Sequence, residues 1–278
     1  MTDTMKHSLL FAAVGALILM EGMTDWGFFS GSWNSSLVIL NMGLISAIMA
    51  LGVNLQWGFA GLFNVGIMGF TALGGLAVVL TATPPTPGAW SAGGPGVLMA
   101  MVMGALTVVS AVAVTKMMPK GRIRAVVIIA ILVVGFVIYR ALFDPAIGAI
   151  EEINPAIEGN IGGLGWPVLL SWPVGGLLAA GAAWLIGKTA LGLRSDYLAI
   201  ATLGIAEIII AVLKNEDWLS RGVKNVVGLP RPLPFEVDLQ NDPAFVDRAA
   251  GLGLDPVLAS TLYVKLGYAV LFAVVLLA

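Results

Sequence analysis

Residues 124–140 read RAVVIIAILVVGFVIYR, and this stretch decides the class of fold. Fifteen uncharged and mostly apolar residues stand between Arg124 and Arg140. A helix rises about 1.5 Å per residue and a bilayer core is about 30 Å thick, so a spanning helix needs about 20 residues. This run is slightly short, but the two arginine side chains are long enough to reach the membrane surfaces. The stretch therefore predicts a transmembrane helix.

The same pattern recurs along the whole chain. Of the 278 residues, 59% are apolar and only 11% are charged, about half the charged share of a soluble domain. The eight apolar blocks span residues 8–28, 35–54, 65–83, 96–115, 124–142, 166–187, 197–213 and 261–278. No small-residue cleavage site follows the first block, which favours a retained helix over a signal peptide. We predict an all-α polytopic membrane protein with about eight transmembrane helices in one domain, residues 1–278.

Composition also excludes several classes of chemistry. Cysteine is absent and histidine occurs only at His7, so the chain lacks the ligands for a zinc site and the base of a histidine-dependent triad. A net charge of −2 gives no basic surface for nucleic acid. Residues 181–189 resemble a phosphate-binding loop, but five residues separate Gly181 from Gly187 where four are required. We expect no enzymatic activity, cofactor or metal in this chain.

The basic residues of the short loops predict the orientation in the membrane. Residues 116–124 contain four bases and no acid, which places this loop in the cytoplasm. Counting helices from there puts the N-terminus and the loop around 188–194 on the same side. Residues 143–165 and 214–260 then form exterior loops, and 143–165 contains four acids and no base.

Residues 54–66, NLQWGFAGLFNVG, join two apolar blocks without any charge. The polar side chains of Asn54, Gln56 and Asn64 lie near membrane depth, with three glycines between them. Irregular backbone persists at that depth only where protein or a water-filled cavity satisfies it. Two interpretations remain open, namely a tight cytoplasmic turn with helix-capping side chains, or part of a translocation path or gate.

Glu207 is the eleventh residue of a 17-residue apolar block. A carboxylate at such a depth is by default a functional candidate. The alternatives are an ion pair with Lys214, two turns further along the helix, or a hydrogen bond to a neighbouring helix. Glu207 is therefore a candidate both for the translocation path and for a structural contact.

Several ordered motifs resemble the LivM-type permeases of branched-chain amino-acid ABC importers. The longest are residues 50–66, ALGVNLQWGFAGLFNVG, and residues 191–209, LGLRSDYLAIATLGIAEII. Residues 215–219, NEDWL, and 228–232, GLPRP, extend the second motif. The resemblance runs from about residue 37 to 278, although a polar residue common in the family is replaced here by Ile67.

The resemblance implies a type II ABC importer permease in the bacterial cytoplasmic (inner) membrane. Such a permease imports branched-chain or related small amino acids together with a second homologous permease, two cytoplasmic ABC ATPases that hydrolyse ATP, and a periplasmic amino-acid-binding protein. The basic residues of the two cytoplasmic loops are then candidates for partner contacts, namely Lys116, Lys120, Arg122, Arg124, Lys188 and Arg194. The alternative is an ion-coupled secondary transporter of small amino acids or amides, including urea.

The last apolar block suggests that the chain continues beyond Ala278. The run from Leu266 to Ala278 reaches only about 20 Å as a helix, short of a bilayer core. By resemblance, the family's cytoplasmic coupling segment follows this helix. We therefore expect a C-terminally truncated permease.

Overall fold

The computed structural model describes residues 3–154, 159–224, 226 and 228–278, and within these ranges every regular element is helical. In chain order the helices are α1 (Asp3–Met23), α2 (Trp33–Asn54), α3 (Ile67–Ala82), α4 (Pro87–Ala92), α5 (Gly94–Met117), α6 (Arg122–Glu151), α7 (Ser171–Ala190), α8 (Ser195–Asn215), α9 (Asp217–Ser220), α10 (Glu236–Asn241), α11 (Pro243–Gly251) and α12 (Pro256–Leu277). They form two compact units. The first comprises residues 1–64 and 231–278, and the second residues 65–230.

The first unit is built around α2, which packs against both α1 and α12. Ser32 caps α2 by accepting a hydrogen bond from the Ser35 amide at 3.3 Å. The hydroxyl of the fully buried Ser36 donates to the Ile18 carbonyl at 2.6 Å, which joins α2 to α1. A hydrogen bond from Asn41 Nδ2 to the Lys265 carbonyl, 3.0 Å long, joins α2 to α12.

In the second unit the most extensive helix contact is between α5 and α6. A Cβ at Gly135 would overlap the Thr107 side chain, so glycine is needed for this close approach. The rings of Tyr139 and Phe143 stack at 4.8 Å, and Trp218 meets Phe143 edge-on at 5.6 Å. The buried cluster at this contact consists of Ala89, Val97, Ala100, Phe143, Ala146, Ile150 and Trp218.

All eight apolar blocks form helices, but within the described residues only seven are long and apolar enough to cross a bilayer. The exception is α3, whose 16 residues rise about 24 Å. Thr83, Pro84 and Pro85 end this helix early, because a residue before proline disfavours helical backbone. Seven of the predicted eight helices therefore have the length of a membrane span in the described residues.

The predicted exterior loops are shorter than the sequence suggested. Helix α6 continues through Glu151, because Phe143, Ala146 and Ile150 pack into the buried cluster and an Arg140–Asp144 ion pair of 2.9 Å supports the extra turns. The first nine residues of the predicted loop 143–165 are thus helical, and residues 155–158 of that loop lie outside the described residues.

The predicted loop 214–260 contains the short helices α9, α10 and α11. It also overlaps the end of α8 and the start of α12. Helix α11 begins at Pro243, and the Asp242 side chain caps it. Helix α12 begins at Pro256, where the Asp255 carboxylate accepts from the Val257 and Leu258 amides. Its 22 residues rise about 33 Å, so this helix is longer than the predicted block 261–278 and has the length of a span.

Candidate functional site

The polar segment after α2 folds as a widened helical turn followed by a reversal. Residues Leu55–Phe59 form a π-helix, a rare geometry that is frequent at functional sites. The Ala60 amide donates to the Leu55 carbonyl at 3.1 Å, and Leu62 donates to Gln56 at 2.8 Å. Gly61 then turns the chain with a φ of +65°, which glycine adopts without strain.

Two of the three polar path candidates in this segment are brought together. Asn64 Nδ2 donates to Gln56 Oε1 at 2.7 Å, and both side chains are half-buried. Trp57 Nε1 donates to the Asn64 carbonyl at 3.3 Å, and its ring stacks on Phe63 at 4.6 Å. Asn54 is exposed and lies over Gly58 instead. The amides of Gln56 and Asn64 thus brace the turn internally, and the N-cap position of the following helix α3 is occupied by Gly66.

Within the second unit, the start of α3 lies directly against α8. The Val65 amide donates to Thr202 Oγ1 at 3.1 Å. A Cβ at Gly66 would overlap the Thr202 carbonyl oxygen, and one at Gly69 would lie 2.9 Å from the Ala206 Cα. The sequence shows the spacing of Gly66 and Gly69 and that of Thr202 and Ala206. Only the structure shows that the two glycines at the start of α3 pack against these two residues of α8. Thr202 is therefore a site residue that the sequence reasoning missed.

Glu207 lies beside this contact but points away from it. It is exposed, whereas its neighbour Ala206 is buried against α3. Among the ion pairs of the described residues, none joins Glu207 to Lys214, and Lys214 is itself exposed. The geometry therefore does not support an ion pair between Glu207 and Lys214. The Glu207 carboxylate lies on a face of α8 that the chain does not cover.

The candidates for cytoplasmic contacts differ in their surroundings. Arg124 donates to the Thr115 and Met118 carbonyls at 3.3 and 3.5 Å, so it closes the C-terminal end of α5. The ammonium of Lys188 lies 4.0 Å from the centre of the Trp184 ring. The remaining candidates are exposed, namely Lys116, Lys120, Arg122 and Arg194.

The described residues contain no group of three His, Asp or Glu side chains close enough to hold a metal ion. Only 6–17% of the residues in each of the seven spans are buried within the chain, so most of the helical surface is apolar and uncovered. In water such a surface would be strongly unfavourable. The chain is accordingly a multi-pass membrane protein.

Two curated bacterial proteins share sequence with this chain. The LivM permease protein of the high-affinity branched-chain amino acid transport system from Escherichia coli (strain K12) is 38% identical over 90 residues. The protein of the same name from Salmonella typhimurium is 37% identical over 90 residues. The chain is homologous to LivM permeases over this stretch. The predicted LivM-type resemblance is therefore confirmed.

The match covers 32% of this chain and 21% of each relative, so it spans about a fifth of the length of the relatives. Both relatives are named as transport permeases rather than enzymes. No protein-family model matches the chain. No solved structure matches it either.

Proposed function

We propose that the chain is a membrane-spanning permease subunit of an ATP-driven importer for branched-chain or related small amino acids. The observation that carries this proposal is the identity of 38% over 90 residues with a LivM permease, together with seven apolar helices of spanning length among the described residues. In this proposal separate subunits hydrolyse ATP, which agrees with the lack of a phosphate-binding loop in residues 1–278.

The partners follow from the same proposal. A second homologous permease covers part of the uncovered apolar surface and completes the translocation path, and lipid covers the rest. Two cytoplasmic ATPases contact the exposed basic groups, among them Lys116, Lys120 and Arg122. A periplasmic binding protein delivers the amino acid to the outer side of the cytoplasmic (inner) membrane. The ATPases can switch the membrane subunits only through contacts that differ between the two states.

The orientation is tested by single cysteines, which is straightforward because the chain contains no native cysteine. Lys120 and Glu152 are exposed just beyond opposite ends of α6, a helix about 45 Å long. We expect Lys120→Cys to react with a membrane-impermeant maleimide only after cell lysis, and Glu152→Cys to react in intact spheroplasts. Reaction of both cysteines from the same side would contradict the proposed topology.

The function is tested by uptake of radiolabelled leucine in cells that lack the chain and in cells to which it is restored. We expect loss of the chain to lower high-affinity leucine uptake more than tenfold. Arsenate, which depletes ATP, should block the restored uptake, while a protonophore in ATP-supplied cells should leave most of it intact. The reverse pattern would establish ion-coupled secondary transport instead. Competition by unlabelled valine, alanine, urea and propionamide then defines the substrate class.

A further inference from the structure

An open cavity of about 380 Å³ lies in the first unit, lined by α2, α10, α12 and the residues that precede α10. Its polar lining consists of Asn41 from α2, Arg231 and Glu236 near the start of α10, and Lys265 and Tyr268 from α12. None of these residues belongs to the polar segment after α2 or to the contact between α3 and α8. The cavity is therefore separate from the site described above.

Lys265 is unusual because of its depth. It is the tenth of the 22 residues of α12, about 14 Å along the helix from Pro256. A charged residue at such a depth is costly and normally faces a partner, a water-filled cavity or a ligand. The side chain is half-buried, and no ion pair within the described residues involves it. Lys265 is one of the residues that line the cavity, so a ligand bound in the cavity would lie next to it.

The other charges of the cavity come from Arg231 and Glu236. Their side chains approach to 3.6 Å, longer than a close ion pair, and each remains partly exposed. The Arg231 guanidinium also lies over the Phe235 ring, 4.3 Å from its centre. With Lys265, the cavity holds two positive groups and one negative group. A carboxylate can therefore bind the two positive groups, and an ammonium can bind Glu236.

The remaining lining is apolar and comes from Val38, Met42 and Phe272. The cavity thus combines two cationic groups, one carboxylate and an apolar wall in a volume suited to a small molecule. A zwitterionic amino acid with an apolar side chain has this distribution of groups. A fatty acid has no ammonium for Glu236, and a simple amine has no carboxylate for Lys265 and Arg231.

We propose that this cavity binds a zwitterionic amino acid with an apolar side chain. Lys265 and Arg231 bind the α-carboxylate, and Glu236 accepts from the α-ammonium. Val38, Met42 and Phe272 contact the side chain. This inference rests on the proposed function, because it assigns a binding site to the substrate class proposed there.

Asn41 is a positioning residue in this cavity. Its Nδ2 atom donates to the Lys265 carbonyl at 3.0 Å and so fixes α12 against α2 at the level of the lysine. Its Oδ1 atom is buried and accepts no hydrogen bond from the described residues. A buried acceptor without a donor is unfavourable. The cavity wall therefore has an unsatisfied polar atom at the level of Lys265.

Binding is measured by isothermal titration calorimetry on the full chain in lipid nanodiscs, with three ligands that share the branched apolar group of leucine. These are leucine, 4-methylpentanoate, which lacks the ammonium, and 3-methylbutylamine, which lacks the carboxylate. We expect leucine to bind at least tenfold more tightly than either analogue, because each charge-assisted hydrogen bond contributes about a factor of ten or more.

The variants separate the two ends of the ligand. Lys265→Met should weaken leucine about tenfold or more while leaving 3-methylbutylamine unchanged, and Glu236→Gln should weaken leucine but leave 4-methylpentanoate unchanged. Lys265→Arg should restore much of the affinity. Lys214→Met is the matched control, since it removes an exposed lysine from a helix of the other unit. A purely structural lysine would change stability without changing this discrimination between ligands.

The outcomes distinguish this site from the proposed function. Absence of leucine binding, or leucine binding that Lys265→Met and Glu236→Gln do not affect, would overturn the site even if ATP-dependent uptake is observed. Equal affinity for the three ligands would overturn it without any variant. Selective leucine binding in a chain whose uptake proves to be ion-coupled would support the site and overturn only the ATP-driven part of the proposed function.

Discussion

Replacing Gly66 by alanine is expected to destabilise the second unit by about 3 kcal/mol and to lower uptake more than tenfold. The added Cβ would overlap the Thr202 carbonyl oxygen and lie 3.3 Å from the Ala206 Cβ. The obstacle is backbone within a helix, which cannot move aside as a flexible side chain can. Relief therefore requires α3 to move away from α8, which also breaks the hydrogen bond between the Val65 amide and Thr202.

The matched control is Gly75→Ala on the same helix. Gly75 is exposed, and a Cβ there would meet no atom within 4 Å. Alanine is favoured over glycine inside a helix by about 1 kcal/mol, so this variant should be neutral or slightly more stable. Thermal unfolding in detergent, followed by tryptophan fluorescence, measures both variants. Equal melting temperatures for the two would show that the close approach of α3 to α8 is not needed.

Sequence reasoning located all eight helices, because apolar runs of this length have no other stable environment than a membrane. It misplaced helix ends where tertiary contacts override local signals. Helix α6 continues past the predicted end at 142 because Phe143 and Ile150 are buried, and α12 starts five residues early because Asp255 caps it. The predicted block 65–83 is three residues longer than α3, which begins at Ile67 and ends at Ala82.

The candidate sites were predicted less completely, because spacing along one helix does not reveal the neighbour on another. The sequence singled out Gln56 and Asn64 but not the hydrogen bond between them. Thr202 and Lys265 were both overlooked. Thr202 gains its role from the α3 backbone, and Lys265 lies in a cavity formed by residues more than 200 positions apart in the chain.

Glu207 is a charged residue in an apolar span, and no ion pair of the described residues balances its charge. It lies about 18 Å from the start of α8 and about 12 Å from its end, well inside the span. A carboxylate exposed to lipid at that depth would be costly. No ion pair of the described residues compensates it, and the opposite face of α8 is the one buried against α3. We infer that Glu207 faces a water-filled path in the proposed transporter.

Glu207→Gln is therefore expected to leave the chain folded and assembled but to lower uptake per assembled complex more than tenfold. Glutamine keeps the size and the hydrogen-bonding capacity of the side chain and removes only its charge, so packing is preserved while the electrostatics of the path change. Lys214→Gln is the control, because an exposed lysine without a contact to Glu207 should tolerate the change. Assembly is measured by size-exclusion chromatography of the purified complex, and uptake with radiolabelled leucine. If Glu207→Gln instead reduced the yield of folded complex while uptake per complex stayed normal, and Lys214→Gln did the same, the two residues would form a structural pair, and Glu207 would not belong to the path.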